Sequence, residues 1–350
     1  WNTSATNLRL TPVTDTDFSS YTPVNYFMKE VVYTNPVNYY EGHYSSWNGT
    51  DPTYHKAEGW FDNLFYQGQS MTYPMATPNL FSGGPSAKVK INVVGTSNSA
   101  NFSPDHKVVV DYLNIGSTFV PLRDTVAFEG YELVQISDSI PASQLGPATD
   151  IRLYNDPIPG NSGIIYMAMS CINLKYPHTL NMEGNSTFKF LLDDNQLAAK
   201  SYLDFSNYAG TGNIHLYDLT NNKRFDVFPN GLNYRVLVPN SGSEKNCVLF
   251  GDNQTTSVTS IIPVTPSAMF SDYRALAPDS AFLIITHQSL MSGAQDYKDY
   301  RETFNGGSHK AMITDVDQLY DQYAYGIEKH PLSIRRFCDF AISNFPSPPR

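Results

Sequence analysis

Long apolar runs are missing from this chain of 350 residues, and none approaches the roughly 20 residues that span a bilayer. The opening residues, WNTSATNLRL, show no basic stretch followed by an apolar one, so no signal peptide is read within the chain. A start on Trp1 rather than Met is expected of a processed chain, or of one cut from something longer. Basic runs are missing too. The 23 Lys and Arg are scattered, with no run longer than the pair Arg335 and Arg336, and the net charge is -10. That balance argues against nucleic acid or an anionic membrane surface as a partner. Cysteine is scarce: Cys171, Cys247 and Cys338 lie far apart. Three cannot complete a disulfide set, and C-x-x-C zinc spacing is absent, so buried inert thiols are expected.

The chain does hold enough apolar and aromatic residues, 41% and 13%, to build substantial cores. Asparagine divides it. Residues 1–262 carry 27 of the 29 Asn, and only Asn305 and Asn344 follow. Asn tolerates the left-handed region and bonds its own backbone, so the first three quarters read as dense in turns. Between 86 and 206 short β-branched runs alternate with turn clusters. Lys88, Lys90 and Asn92 alternate with Val89, Ile91 and Val93, which gives one wet and one buried face. Many such strands imply a mostly β fold, a jelly-roll-like sandwich over 36–206 after a leading segment 1–35. A smaller β unit is expected over 207–262, with a hairpin turn at Thr220-Asn221-Asn222-Lys223.

From 263 onward the pattern turns α/β. AFLIITH is a continuous apolar run of the kind buried on both faces of a parallel sheet. A helix-like SGAQDYKDYRETF stopped by Gly306-Gly307, a strand in HKAMITDVD and a short helix in DQLYDQY follow. A helix primed by Pro331 ends the series, with Ile334, Phe337 and Ile342 expected to face the sheet. Strand, helix, strand implies a crossover and a parallel sheet.

Thr286-His287 at a strand end, Asp299-Tyr300-Arg301, Asp315-Val316-Asp317, Tyr325-Gly326, and Pro331 with Ile334 and Arg335 follow in an order that resembles the opening of the gingipain-type cysteine peptidase domain, family C25. The similarity is greatest to the sortase-like branch tied to type IX secretion, and EGWFDNLF at 58–65 fits its β-rich lead-in. The resemblance implies a caspase-like α/β domain beginning near 263, a polypeptide substrate, and display on the surface of a bacterium with an outer membrane. It also implies an outer-membrane β-barrel partner in the secretion machinery. The catalytic His and Cys of the family are expected beyond the strands found here, so no catalytic residue is assigned and the chain is read as the inactive, N-proximal part of such an enzyme.

Other constellations are weighed beside it. His287 sits where parallel strands gather catalytic groups, yet a base needs a nucleophile within reach; a hydrogen-bonded loop histidine is the simpler reading. Glu41, His43, His55 and Glu58 lack metal-ligand spacing. Asp193-Asp194 and Asp315 with Asp317 read as loop or helix-capping groups, with calcium only a possibility for the parent enzyme; no cofactor is expected of the chain itself. Trp47, Trp60 and Phe61 are the candidate binding residues, as an aromatic ledge for glycan or polypeptide, with core packing as the competing role. Two further functions stay open: a stand-alone β-sandwich that binds carbohydrate or a secreted protein, and a complete hydrolase with an unrecognised site.

Overall fold

The computed structural model describes residues 10–43, 55–161, 164–257, 270–330 and 332–349. They form two compact units, one before residue 258 and one after it. Trp47 lies outside the described residues, as does Pro331.

Eight strands make the sandwich of the first unit. Leu133–Ile140, Ala87–Gly95, Tyr166–His178 and Phe27–Thr34 are antiparallel neighbours in one sheet. Ser70–Ala76, Ala148–Asn155, His106–Leu113 and Phe119–Phe128 form the other. In chain order the pairings nest: first with eighth, second with seventh, third with sixth, fourth with fifth. That is the wrapping of a jelly roll, in which one long hairpin is rolled so that its two faces close over a shared core. The alternation from Ala87 to Val93 drives it locally, since Lys88 and Lys90 are exposed while Val89, Ile91 and Val93 are buried. Their inward face meets Val108, Val110, Ile151 and Leu153 of the opposite sheet. Each such side chain contributes about 1.5–3 kcal/mol when taken from water.

A second core sits in the same unit. Thr187–Leu192, Lys245–Gly251, Ile214–Asp218, Lys223–Asn230, Asn233–Pro239 and Lys200–Phe205 are neighbours in that order. They enclose Phe190, Phe205, Leu216, Phe225, Val238 and Leu249. The turn at 219–222 joins two of them as the sequence indicates: Asp218 accepts hydrogen bonds from the Thr220 and Asn221 N–H groups, and Asn222 takes the left-handed conformation at φ 53°.

The strands divide differently from the sequence boundaries. Phe27–Thr34, inside the stretch read as a leading segment, is the first jelly-roll strand, pairing with Tyr166–His178. Thr187–Leu192 and Lys200–Phe205, grouped by sequence with the sandwich, carry their apolar residues into the second core. A period-2 pattern gives the side that is buried and says nothing about which core receives it.

In the second unit Phe282–Thr286 and Ala311–Asp315 pair in parallel, joined by the helix Met291–Glu302. Phe282 packs toward that helix, with the Arg301 guanidinium 4.5 Å from its ring. Leu283 and Ile285 point the other way, against Met312, Leu319 and Phe337. The run FLIIT is half-buried at every position, not fully buried as its composition suggests. Among the described residues its strand has one neighbour. The helix Leu332–Asn344 turns Ser333, Phe337 and Ala341 inward at intervals of four, and Phe345 continues the stripe. Phe337 is 0% exposed, but Ile334 is 40% and Ile342 57% exposed, which corrects the expected sheet-facing set. Tyr273 and Tyr323 clasp Phe337 at 4.9 and 5.5 Å, and that clasp fixes the helix rotation.

Candidate functional site

The carboxyl ends of the two parallel strands coincide, since Thr286 and Asp315 are in register. His287 follows Thr286 and caps the next turn: its Nδ1 accepts from the Ser289 N–H at 3.2 Å and lies 2.7 Å from Ser289 Oγ. Its Nε2 is 3.5 Å from Asp317 Oδ2, with both side chains open to solvent. Asp315 caps the helix Val316–Tyr323 by accepting from the Asp317 N–H at 3.1 Å. These hydrogen bonds close turns. An exposed ion pair in water is weak, so the arrangement is a capped strand end.

Of the three cysteines expected to be buried, Cys247 is buried, whereas Cys171 and Cys338 are half-buried. Cys247 is fully buried in the second core, and burial pushes its thiol far above the ordinary range. Burial, and then the Asp339 charge, also raise Cys338. Cys171 accepts a hydrogen bond from Asn92 Nδ2 at 3.3 Å. A nucleophilic thiolate needs a neighbouring base or cation, and burial favours the thiol at Cys247 and Cys338.

The aromatic candidates separate. Trp60 is 51% exposed on the short pairing of Asn38–Tyr40 with Gly59–Phe61, edge-on to Tyr39 at 5.6 Å. Phe61, the next residue along the strand, points inward and is 4% exposed, packed with Ala57, Val94 and Ala168. One is a surface ring and the other is core. The His43 and His55 rings approach to 4.7 Å, and Tyr39 Oη donates to Glu58 Oε1. Among the described residues no three His, Cys, Asp or Glu side chains converge as a metal set. Asp194 is an anchor: burial opposes its charge, but the Lys245 ammonium and the Ser241 and Gly242 N–H groups outweigh it and hold the carboxyl below its usual range.

Beside the Trp60 hairpin is a cleft of about 380 Å³ lined by Tyr39, Tyr40, Glu41, His43, Thr96 and Tyr131. Its walls come from three distant stretches of chain, which hid it from sequence reading. Close backbone packing assembles it. Gly42 adopts φ 73° against the Glu58 backbone, where a Cβ would lie 2.4 Å from the Glu58 nitrogen. Gly95 faces the Gly130 carbonyl, which a Cβ would meet at 1.9 Å. Asp105 ties the far wall: its carboxylate accepts from the Ser99 and Gly130 N–H groups, each at 2.7 Å, and contacts His106 Nδ1 at 2.7 Å. The adjacent pair Asp105-His106 was the one visible signal of this brace. Two of its lining residues carry a buried atom with no hydrogen-bond partner among the described residues, Glu41 Oε2 and Thr96 Oγ1.

Residues 275–350 match the profile of peptidase family C25. No curated protein matches the chain in sequence. Among solved structures, the dimeric latent PorU of Porphyromonas gingivalis is similar over 93% of this chain at TM-score 0.56 and 12% identity. This chain spans 29% of that one. The CBM36-1 domain of a multidomain xylanase from the hindgut metagenome of Trinervitermes trinervoides aligns over 42% of this chain and 96% of its own, at 11% identity and TM-score 0.23. The CBM22-1 xylan-binding domain of Paenibacillus barcinonensis Xyn10C aligns over 42% and 96%, at 7% identity and TM-score 0.20. Fits that loose carry no argument about this chain. Its α/β segment from 275 to 350 is thus similar to peptidase family C25, on a chain that shares the fold of PorU.

Proposed function

We propose that this chain is the non-catalytic, N-proximal part of a gingipain-like cysteine peptidase or type IX secretion sortase. In this reading its β cores brace the catalytic domain and contribute to holding a polypeptide substrate or partner. The carrying observation is the C25 match in 275–350 on a fold similar to PorU across 93% of the chain. The surface of the second unit agrees with it. Among the described residues, ten of the 21 exposed large hydrophobic side chains, Phe304 and Tyr325 foremost, fall after residue 269, in the smaller unit. Apolar exposure so concentrated marks a surface built to be covered. The half-buried FLIIT strand has the same character.

The protein acts at the bacterial surface, next to an outer-membrane β-barrel of the secretion machinery. Protease treatment of intact cells should remove it, and protection until lysis would contradict this placement. Deleting residues 27–251 from the chromosomal copy should stop maturation of proteins exported by the type IX route. Replacing Cys171, Cys247 and Cys338 together with Ser should leave that maturation intact. A block by the triple substitution in a folded, normally abundant protein would defeat the scaffold reading. The alternative, a jelly roll that binds carbohydrate independently through Trp60 and Tyr39, calls for glycan-array binding lost on Trp60→Ala.

A further inference from the structure

We propose that the cleft between Glu41 and Thr96 binds an alkylammonium group, as carried by a lysine side chain of a polypeptide. The two unpartnered atoms set the ligand chemistry. A carboxylate oxygen only accepts hydrogen bonds, and the threonine hydroxyl can accept as well. A ligand that offers several N–H donors and no acceptor satisfies both. A buried polar atom left unpaired is costly, so a ligand that pairs with both atoms recovers that cost.

Charge and ring chemistry agree. Tyr39, Tyr40 and Tyr131 line the cleft, and tyrosine faces attract cations through their negative π surface. Among the described residues no Lys or Arg lines it, and His43 is the basic ring beside Glu41. On the other side of Tyr131 a second cleft, about 480 Å³, exposes Glu129 and Glu132 beside Lys56. The same face therefore continues acidic, as a basic peptide segment would require. A sugar is the weaker fit. Sugar hydroxyls carry no charge, so they pair with a carboxylate oxygen less strongly than an ammonium does. The lining residues all belong to the first unit, so the test does not depend on the C25 similarity.

Ligand-observed NMR at low ionic strength on the 350-residue chain decides it, with three probes: end-blocked Gly-Lys-Gly, the same peptide carrying Nε-acetyl-lysine, and maltotriose. The lysine peptide should bind and the acetylated one should not. Glu41→Gln should weaken binding at least tenfold, the scale of a lost charge-assisted hydrogen bond, and Thr96→Val by a smaller factor. Asp124→Asn, which changes an exposed carboxylate that does not line the cleft, should leave binding unchanged. Circular dichroism checks the fold of each variant, and if Glu41→Gln misfolds, Thr96→Val and the acetylated peptide still decide. Equal binding of the acetylated peptide, binding of maltotriose alone, silence of all three probes, or an unaltered Glu41→Gln would each overturn the proposal.

Discussion

The rings of Phe27 and His178 stack at 5.1 Å with 15° between their planes, at the end of the ladder where the first jelly-roll strand pairs with the last. Phe27 belongs to the second core, and the two strands that end here belong mainly to the first. The stack thus joins two hydrophobic cores that the chain builds from different segments. Phe27→Ala should cost about 3–5 kcal/mol in urea unfolding, the usual loss for a buried aromatic ring. A loss below 1 kcal/mol would mean that the cores are independent.

His178 gives this junction a pH dependence. Burial lowers its proton affinity, against the opposing hydrogen bonds to Glu183 and Thr179. The Lys29 ammonium, 2.7 Å from Glu183, also opposes protonation of the ring. With the folded pKa depressed, the unfolded chain binds the proton first. Stability is therefore full above the unfolded value of about 6.5 and falls as pH drops through it toward the folded value. Unfolding free energies at pH 7.5, 6.5 and 5.5 should decline, and His178→Asn should flatten that part of the curve. An unchanged slope in the variant would assign the effect to other groups.

Gly95→Ala should destabilise the jelly roll by about 1–3 kcal/mol, as expected when a methyl group is forced into filled space. The clash is with the Gly130 carbonyl, on the turn that carries Tyr131. A thermal melt with no shift would show that this turn is not held where the contact implies.

The helix Leu332–Asn344 supplies a contrast within one element. Phe337→Ala should cost about 3–5 kcal/mol, whereas Ile334→Ala and Ile342→Ala should fall within about 0.5 kcal/mol of the parent. Equal losses at all three positions would restore the inward orientation first expected for Ile334 and Ile342.

Thiol titration checks the cysteine environments. Cys247 should stay unreactive toward a disulfide reagent until the chain is unfolded, because burial raises its proton affinity and closes access. Rapid reaction in the native protein would contradict the closed second core.

Much of this architecture is written in local pattern. The period-2 runs gave the sandwich, because Lys88 and Lys90 can only face water while Val89 and Ile91 face in. The apolar run at 282–286 and the helix after it likewise gave a parallel pair. Assignments that depend on distant partners were not legible. Strand Phe27–Thr34 owes its place to Tyr166–His178, more than a hundred residues away, and Phe337 to Tyr273 and Tyr323. Trp60 and Phe61 look alike in sequence, yet strand alternation exposes one and buries the other. The cleft was invisible because Glu41, Thr96 and Tyr131 have no common motif; glycine contacts and the Asp105 brace bring them together.

The central claim, that these residues are scaffold and not catalyst, is tested most directly with a peptidyl acyloxymethyl-ketone, which labels only an activated cysteine. Incubated with the native chain near pH 7.5, it should leave Cys171, Cys247 and Cys338 unmodified by intact-mass measurement. Stoichiometric labelling of one of them, abolished by its substitution with Ser, would reveal a working nucleophile and contradict the account.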